Sequence, residues 1–415
     1  MIIIYSFIIN LLLLFSPFVL IYRLLKSKEH KTRFLEKISL NLKKKSNGKL
    51  IWFHAVSVGE LLSIIPLIEK IEKNKKISQI LITSSTLTSA ELFKKFNLKK
   101  TIHQFYPLDN NYFVKKFLSN WNPSLAVFVD SEVWPNMLIN LNKKKIPTIL
   151  LNARISIKSF ERWKKLFFFS KSLFNKFNYT YPQNKETQKH LKKLGVKNIK
   201  FIGNLKFSQK RKIILNKNLQ IKDLAKNHKI WCAMSTHPGE EKICLEVLNN
   251  QLKKDKKIIL VIIPRHINRL NEIKDDIKKY NLNFHLHSSK KKINKNINIY
   301  LVDTYGEAEN FFSLCKVVFI GKSLTGKDGQ NPLEAARHNC KIIHGPGISN
   351  FKEVYEMLNK KKLAKKIHNN YQFEKTLDKY LSKKVSDKST NKSLYNLGNK
   401  ILNNYYIELK KLLKI

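Results

Sequence analysis

The chain has 415 residues, 79 Lys+Arg against 30 Asp+Glu, a formal net charge of +49 and 43% hydrophobic residues. That much apolar side chain excludes a disordered polyelectrolyte, and the 12 Gly and 11 Pro are too few for a collagen-like or Pro-rich linker sequence. Length favours two or three domains, and four cysteines without CxxC spacing read as reduced thiols, not as a disulfide framework or zinc site.

Residues 1–22 carry no charged side chain, and Arg23, Lys26, Lys28, Lys31 and Arg33 follow. About 20 apolar residues suffice for a membrane-crossing helix. No basic residue precedes the run and no AxA-like site follows it, which argues against a cleaved leader. The basic cluster predicts a single-pass anchor, with the rest of the chain on the cytoplasmic face and anionic membrane lipids as partners. Pro17 leaves open a kinked or partly interfacial helix. Only eight of the basic residues are Arg, and the lysines are spread along the chain. They read as a solvated surface, and no nucleic-acid partner is expected.

After the anchor, apolar runs predict strands over 49–54, 79–83, 125–129 and 148–152. Amphipathic stretches predict helices over 60–73, 88–96, 110–121, 135–143 and 185–194. A basic linker without clear period covers 203–222. The alternation resumes with strands over 230–233, 258–263, 317–320 and 341–344, and helices over 238–253, 267–280, 307–314 and 331–338. A Lys/Asn-rich tail over 360–400 ends in an amphipathic stretch, 402–413. Near-continuous apolar strands predict parallel sheets covered on both faces. The expected fold is α/β, two Rossmann-like doubly wound domains facing a cleft. The expected boundaries are 1–22 for the anchor, 23–205 and 206–390 for the domains, and 391–415 for a C-terminal helix.

Chemistry-bearing residues gather at predicted strand ends, where such sheets bind ligands. His54 to Glu60 (HAVSVGE) joins a strand to a helix. Glu60 reads either as a capping carboxylate or as a general base, with Ser57 in the turn before it. The helix dipole alone would lower its pKa, so a base near neutrality requires burial or a neighbouring anion to offset it. Asp130 and Glu132 are two carboxylates at a strand tip, costly to bury unless they serve a site. A solvated pair capping the next helix is the alternative. Arg154 follows another strand, as a site residue or a solvated one. Lys206 lies in the linker.

In the second half, Ser235, Thr236 and His237 open a helix, either as a phosphate cradle or as a plain cap. Pro264 and Arg265 sit at the next strand tip, and a guanidinium there suits phosphate or carboxylate. Gly306, Glu307, Ala308 and Ser323 follow, and then Asn331, Pro332, Leu333 and Glu334 at a helix start. The histidines lack metal-ligand spacing. No DxD, Walker A, complete GxGxxG or GxSxG pattern is present, so no metal and no cofactor is expected.

Taken in order, HAVSVGE, SEVWPN, NARIS, GNLK, STHPGEE, PRHINR, DTYGEAE, GQNPLEAA and GPGISNF resemble the Kdo transferases. These are membrane-anchored GT-B glycosyltransferases that move 3-deoxy-D-manno-octulosonic acid (Kdo) from CMP-Kdo to a lipid A precursor. The resemblance covers nearly the whole chain. It implies acceptor binding by 23–205 and CMP-Kdo binding by 206–390, with CMP-Kdo a co-substrate. It implies Glu60 as the base on a glucosamine hydroxyl, and Asp130 and Lys206 as transition-state stabilisers. It implies that Pro264, Arg265, Gly306, Glu307, Ala308, Asn331, Pro332, Leu333 and Glu334 bind CMP. Ser57, Glu132, Arg154, Ser235, Thr236, His237 and Ser323 would support them. The pattern departs from the family's at Asp130, where Glu is usual, at Asp328 and Gln330, where Gly and His are usual, and at Ser89 for Gly. The rivals are another GT-B transferase or a UDP-sugar epimerase, and a basic RNA-binding or membrane-scaffold protein.

Overall fold

The computed structural model describes residues 1–26, 29–209, 219–382 and 389–415. Lys28, residues 210–218 of the expected linker and 383–388 of the tail lie outside them. The chain forms two compact units, Met1–Lys210 with Tyr395–Ile415, and Arg211–Leu394. Lys206, assigned to the second domain by the sequence boundary, belongs to the first unit.

The first unit holds a six-stranded sheet made of β1 (Leu50–His54), β2 (Gln79–Ser84), β3 (Thr101–Phe105), β4 (Leu125–Val129), β5 (Thr148–Ala153) and β6 (Tyr179–Pro182). Their order is β3-β2-β1-β4-β5-β6, every pair is parallel, and the order reverses between β1 and β4. Alternation divides the strands between two cores. Leu50, Trp52, Ala126 and Phe128 pack on one face, and Ile51, Phe53, Leu125 and Val127 on the other.

The helix Ser389–Leu413 returns to this unit. Its Ile401, Leu402, Tyr405 and Leu409 join the second of these cores, and Tyr405 Oη donates to Gly203 O at 2.9 Å. The helix backbone comes so close at Gly398 that a Cβ there would sit 2.4 Å from Phe207 O.

The second unit holds β7 (Lys229–Thr236), β8 (Ile258–Pro264), β9 (Phe284–Leu286), β10 (Ile299–Leu301), β11 (Val317–Ile320), β12 (Lys341–His344) and β13 (Ala364–Lys366). Their order is β13-β12-β11-β7-β8-β10-β9, again with parallel pairs, and the reversal lies between β7 and β11. Both sheets have the doubly wound arrangement expected from the sequence.

The N-terminus differs from the expected single helix. Ile2–Leu14 and Ser16–Leu25 are two helices bent by 53°, and among the described residues no single helix is long and apolar enough to cross a membrane. Pro17 falls in the first turn of the second helix, where a missing N–H is tolerated.

Candidate active site

β1 ends at His54, and Ser57 caps the helix Val58–Glu72. Ser57 Oγ accepts from Glu60 N at 3.3 Å, and the Glu60 carboxylate accepts from Ser57 Oγ and from Val56 N, each at 2.8 Å. This variant of the capping box holds Glu60 in one rotamer at the helix start. Both bonds favour the ionised form. Burial and the negative charges of Asp130 and Glu132 outweigh them, so the Glu60 pKa is pushed up to about 7. Glu60 therefore caps the helix, and its raised pKa lies where a general base near neutrality would need it.

Asp130 follows β4 with φ +64°, a left-handed conformation that Asp tolerates better than most side chains. It is 7% exposed. Its N–H donates to Leu151 O and its carbonyl accepts from Arg154 N, both at 3.0 Å, so the turn is locked onto the end of β5. Burial raises the Asp130 pKa, opposed by the charges of Lys206 and Arg154. Burial lowers the Lys206 pKa, opposed by Asp130 and Glu60. Glu60, Asp130, Lys206 and Arg154 thus share one electrostatic site at the carboxyl ends of β1, β4 and β5.

Lys206 reaches this site through Asn152. That residue, also left-handed at φ 53°, accepts from Leu205 N at 2.9 Å through its side-chain oxygen. Asn204 Oδ1 accepts from Lys206 N at 2.9 Å and starts the short helix Leu205–Ser208.

Glu132 is part of the site's wall. Its Oε2 accepts from Trp134 Nε1 at 2.7 Å and lies 3.4 Å from Nε2 of fully buried His54. The His54 ring stacks on Tyr106 at 3.8 Å.

In the second unit the expected donor residues lie at the carboxyl ends of β7, β8, β10 and β11 and in the loops and helix starts that follow. Ser235 is left-handed at φ 55°, and Thr236 is fully buried. His237 Nδ1 lies 3.0 Å from Ser235 O. Pro264 ends β8, and exposed Arg265 donates its N–H to Thr236 O at 3.1 Å. Gly306 takes φ +85°, Glu307 accepts from the Asn310 side chain, and Ala308 begins the helix Ala308–Phe312. Asn331 Oδ1 accepts from Leu333 N at 3.1 Å at the start of Leu333–Arg337, with Pro332 before it and Glu334 in the first turn. Ser323 is fully buried, and its hydroxyl spans Ile320 O (2.5 Å) and Gly345 N (2.8 Å), so it braces two loops.

Glu240 was not singled out from the sequence, where it is one of two glutamates after His237-Pro238-Gly239. It is fully buried, and its carboxylate accepts four backbone N–H groups: His237 at 3.0 Å, Lys322 at 2.7 Å, and Ser323 and Leu324 at 3.0 Å. It ties together the loops after β7 and β11, where the strand order reverses. Each oxygen accepts two of them, so a Gln there would turn two of these N–H groups toward an amide N–H₂. Glu240→Gln is expected to cost about 1–3 kcal/mol of stability, read as a lower Tm of the full chain.

Comparison with known proteins bears on the family and the fold. A family model described as 3-deoxy-D-manno-octulosonic-acid transferase (kdotransferase) matches residues 29–209. The 3-deoxy-D-manno-octulosonic acid transferase of Rickettsia bellii is 35% identical over 82% of this chain and 82% of its own length. That of Haemophilus influenzae is 30% identical over 74% and 73%. Among solved structures, the UDP-GlcNAc 2-epimerase of Neisseria meningitidis superposes with a TM-score of 0.60 at 14% identity, covering 88% of this chain and all (100%) of that one. That likeness speaks to the fold alone.

Proposed function

The chain belongs to the 3-deoxy-D-manno-octulosonic acid transferase family and is a glycosyltransferase, and from that premise we propose that it transfers Kdo from CMP-Kdo to a lipid A precursor with inversion at the anomeric carbon. The observation that carries the mechanism is the Glu60 carboxylate, held at a helix start with its pKa pushed up to about 7. A base so tuned is half ionised near neutrality and strong enough to take a hydroxyl proton as attack proceeds.

The bond between the anomeric carbon and the phosphate oxygen breaks, and CMP leaves with the electron pair. The acceptor hydroxyl attacks the oxocarbenium-like centre from the opposite face while Glu60 takes its proton, as in inverting glycosyl transfer generally. Burial pushes Asp130 and Lys206 each toward the neutral form, the charge of the other opposes that shift, and the pair supplies charge beside Glu60. In the second unit, Pro264, Arg265, Gly306, Glu307, Ala308, Asn331, Pro332, Leu333 and Glu334 bind CMP, with the Arg265 guanidinium suited to its phosphate. The enzyme works at the cytoplasmic face of a bacterial inner membrane, held by its N-terminal helices. Its basic surface suits both anionic lipids and an acceptor that carries phosphates.

The test is incubation of the purified full chain with CMP-Kdo and tetra-acylated lipid A precursor, followed by mass analysis. The expected product is the acceptor with one or more Kdo residues added. An unmodified acceptor, together with turnover of a UDP-sugar, would favour the epimerase-like rival.

A further inference from the structure

The N-terminal helix pair carries two stripes on opposite sides. Tyr5, Ile9, Leu13, Ser16 and Leu20 are half-buried. Ile3, Phe7, Leu11, Leu14, Phe18 and Leu25 are exposed by 81, 67, 49, 70, 73 and 80%. The half-buried stripe repeats every three or four residues, as one face of a helix does, the outer one does so as far as Phe18 with Leu25 two turns on, and both continue across the bend.

Polar bonds fasten the helix Ile2–Leu14 to the α/β unit, two from half-buried Tyr5 and Ser6 and one at exposed Asn10. Tyr5 Oη donates to Asp109 Oδ2 at 2.9 Å, Ser6 Oγ to Asn136 Oδ1 at 2.8 Å, and Asn110 Nδ2 to Asn10 Oδ1 at 2.7 Å. The same Asp109 carboxylate accepts from Asn136 N at 3.0 Å and Met137 N at 2.8 Å, capping the helix Pro135–Lys143. Asn110 caps the helix Asn111–Trp121. The middle of the apolar run is therefore bonded to the polar ends of two helices of the α/β unit.

A membrane-crossing path would carry residues 5–10 deep into the bilayer. Either these bonds would break, or Asp109, Asn110 and Asn136 would enter hydrocarbon, at a cost of about 2.5–3.5 kcal/mol or more for a central carboxylate alone. We propose that the helix pair lies in the plane of the membrane, its outer stripe immersed at the headgroup–acyl boundary, and that Tyr5, Ser6 and Asn10 clasp it to the catalytic unit. Tyr112, 67% exposed two residues after Asn110, and Tyr22, 58% exposed, suit the interfacial level where amphipathic rings gather. Exposed Lys26 and Lys31 suit anionic headgroups. The clasp joins the lipid-facing helix to the Pro135–Lys143 helix, which begins three residues after Glu132. This inference goes beyond the transfer reaction and does not depend on it.

The test uses full-length variants Ile3→Cys, Leu11→Cys, Phe18→Cys and Leu25→Cys, all at exposed positions; the four natural cysteines are buried. Each is labelled with a small fluorophore and bound to phosphatidylethanolamine–phosphatidylglycerol vesicles brominated either high on the acyl chains or at their ends. An in-plane pair at a depth of about 5–10 Å gives quenching by the upper bromines that is equal at all four positions to within about twofold, and weaker quenching by terminal bromines. Maximal terminal-bromine quenching at Leu11→Cys, with Ile3→Cys reached only from the opposite leaflet, would overturn the proposal in favour of a span. Absence of quenching at every position would overturn the lipid as occupant. Adding Tyr5→Phe with Ser6→Ala is expected to raise terminal-bromine quenching at Leu11→Cys; no change there would overturn the clasp. None of these readings requires turnover, so a failed transfer assay leaves them interpretable.

Discussion

Glu60→Gln is expected to lower kcat for Kdo transfer by about 10²–10⁴-fold while leaving the affinity for CMP unchanged. The amide keeps the shape of the carboxylate. It can still accept from Val56 N and bond to Ser57 Oγ, the two contacts that fix the native side chain. What it loses is the ability to take a proton. The candidate CMP-binding residues belong to the other unit, so titration with CMP should be unaltered. Melting supplies a control for folding. Glu60 titrates at about 7 in the folded chain against an ordinary 4.5, so its ionisation opposes folding. That penalty is absent below about pH 4.5, grows as pH rises, and is complete above about pH 7. The variant should therefore melt no lower than the native chain at pH 8. Transfer within a few-fold of the native rate would remove Glu60 as the base.

Lys206→Met is the second large effect, and it should fall on stability and activity together. Asp130 is 7% exposed, and the positive charges that oppose its protonation are Lys206 first and Arg154 second. Removing the ammonium leaves a buried carboxylate with less compensation. The expected cost is about 1–3 kcal/mol, toward the low end because Lys206 itself keeps some surface in solvent. The Asp130 pKa should rise further. Transfer should fall by about 10²–10³-fold, as when a fixed charge is removed from a transition-state site. Combining Lys206→Met with Asp130→Asn removes the stranded charge, so Tm should recover toward native while transfer does not. Recovery of both would make the pair a structural brace. Recovery of neither would mean that Lys206 acts through other contacts.

Much of the architecture was legible because parallel strands buried on both faces read as continuous apolar runs. β1, β2, β4, β5, β8, β11 and β12 fall within a residue of their expected bounds, and β7 runs somewhat longer. β3 was not foreseen. Its sequence, TIHQF, buries His103 and Gln104, which interrupt the apolar signal. Their partners come from elsewhere in the chain: Ser84 Oγ lies 2.8 Å from His103 Nε2, and Lys43 N donates to Gln104 Oε1 at 3.2 Å. β6, β9, β10 and β13, of three or four residues each, were not foreseen either. The helices Ile157–Lys165 and Phe167–Phe174 were likewise missed, the first dominated by charge and the second by consecutive aromatics.

The site was legible as a set of strand ends, and the HAVSVGE turn already posed the question of what would raise the Glu60 pKa. The answer lies first in burial and then in Asp130, seventy positions along the chain and brought near because β1 pairs with β4. Lys206 among so many lysines carried no signal of its own. Its place depends on the bond from Leu205 N to the Asn152 side chain, a contact between distant segments that no local pattern encodes. Glu240 was hidden for the same reason, since three of its four donors come from residues 322–324.

The most direct test of the central claim is the pH dependence of kcat/KM for Kdo transfer by the native chain. The account predicts an acid limb of unit slope with its midpoint near pH 7, set by protonation of Glu60, and loss of that limb in Glu60→Gln on whatever residual rate remains. A rate that stays level down to about pH 5, or the same limb persisting in the variant, would show that another group takes the proton.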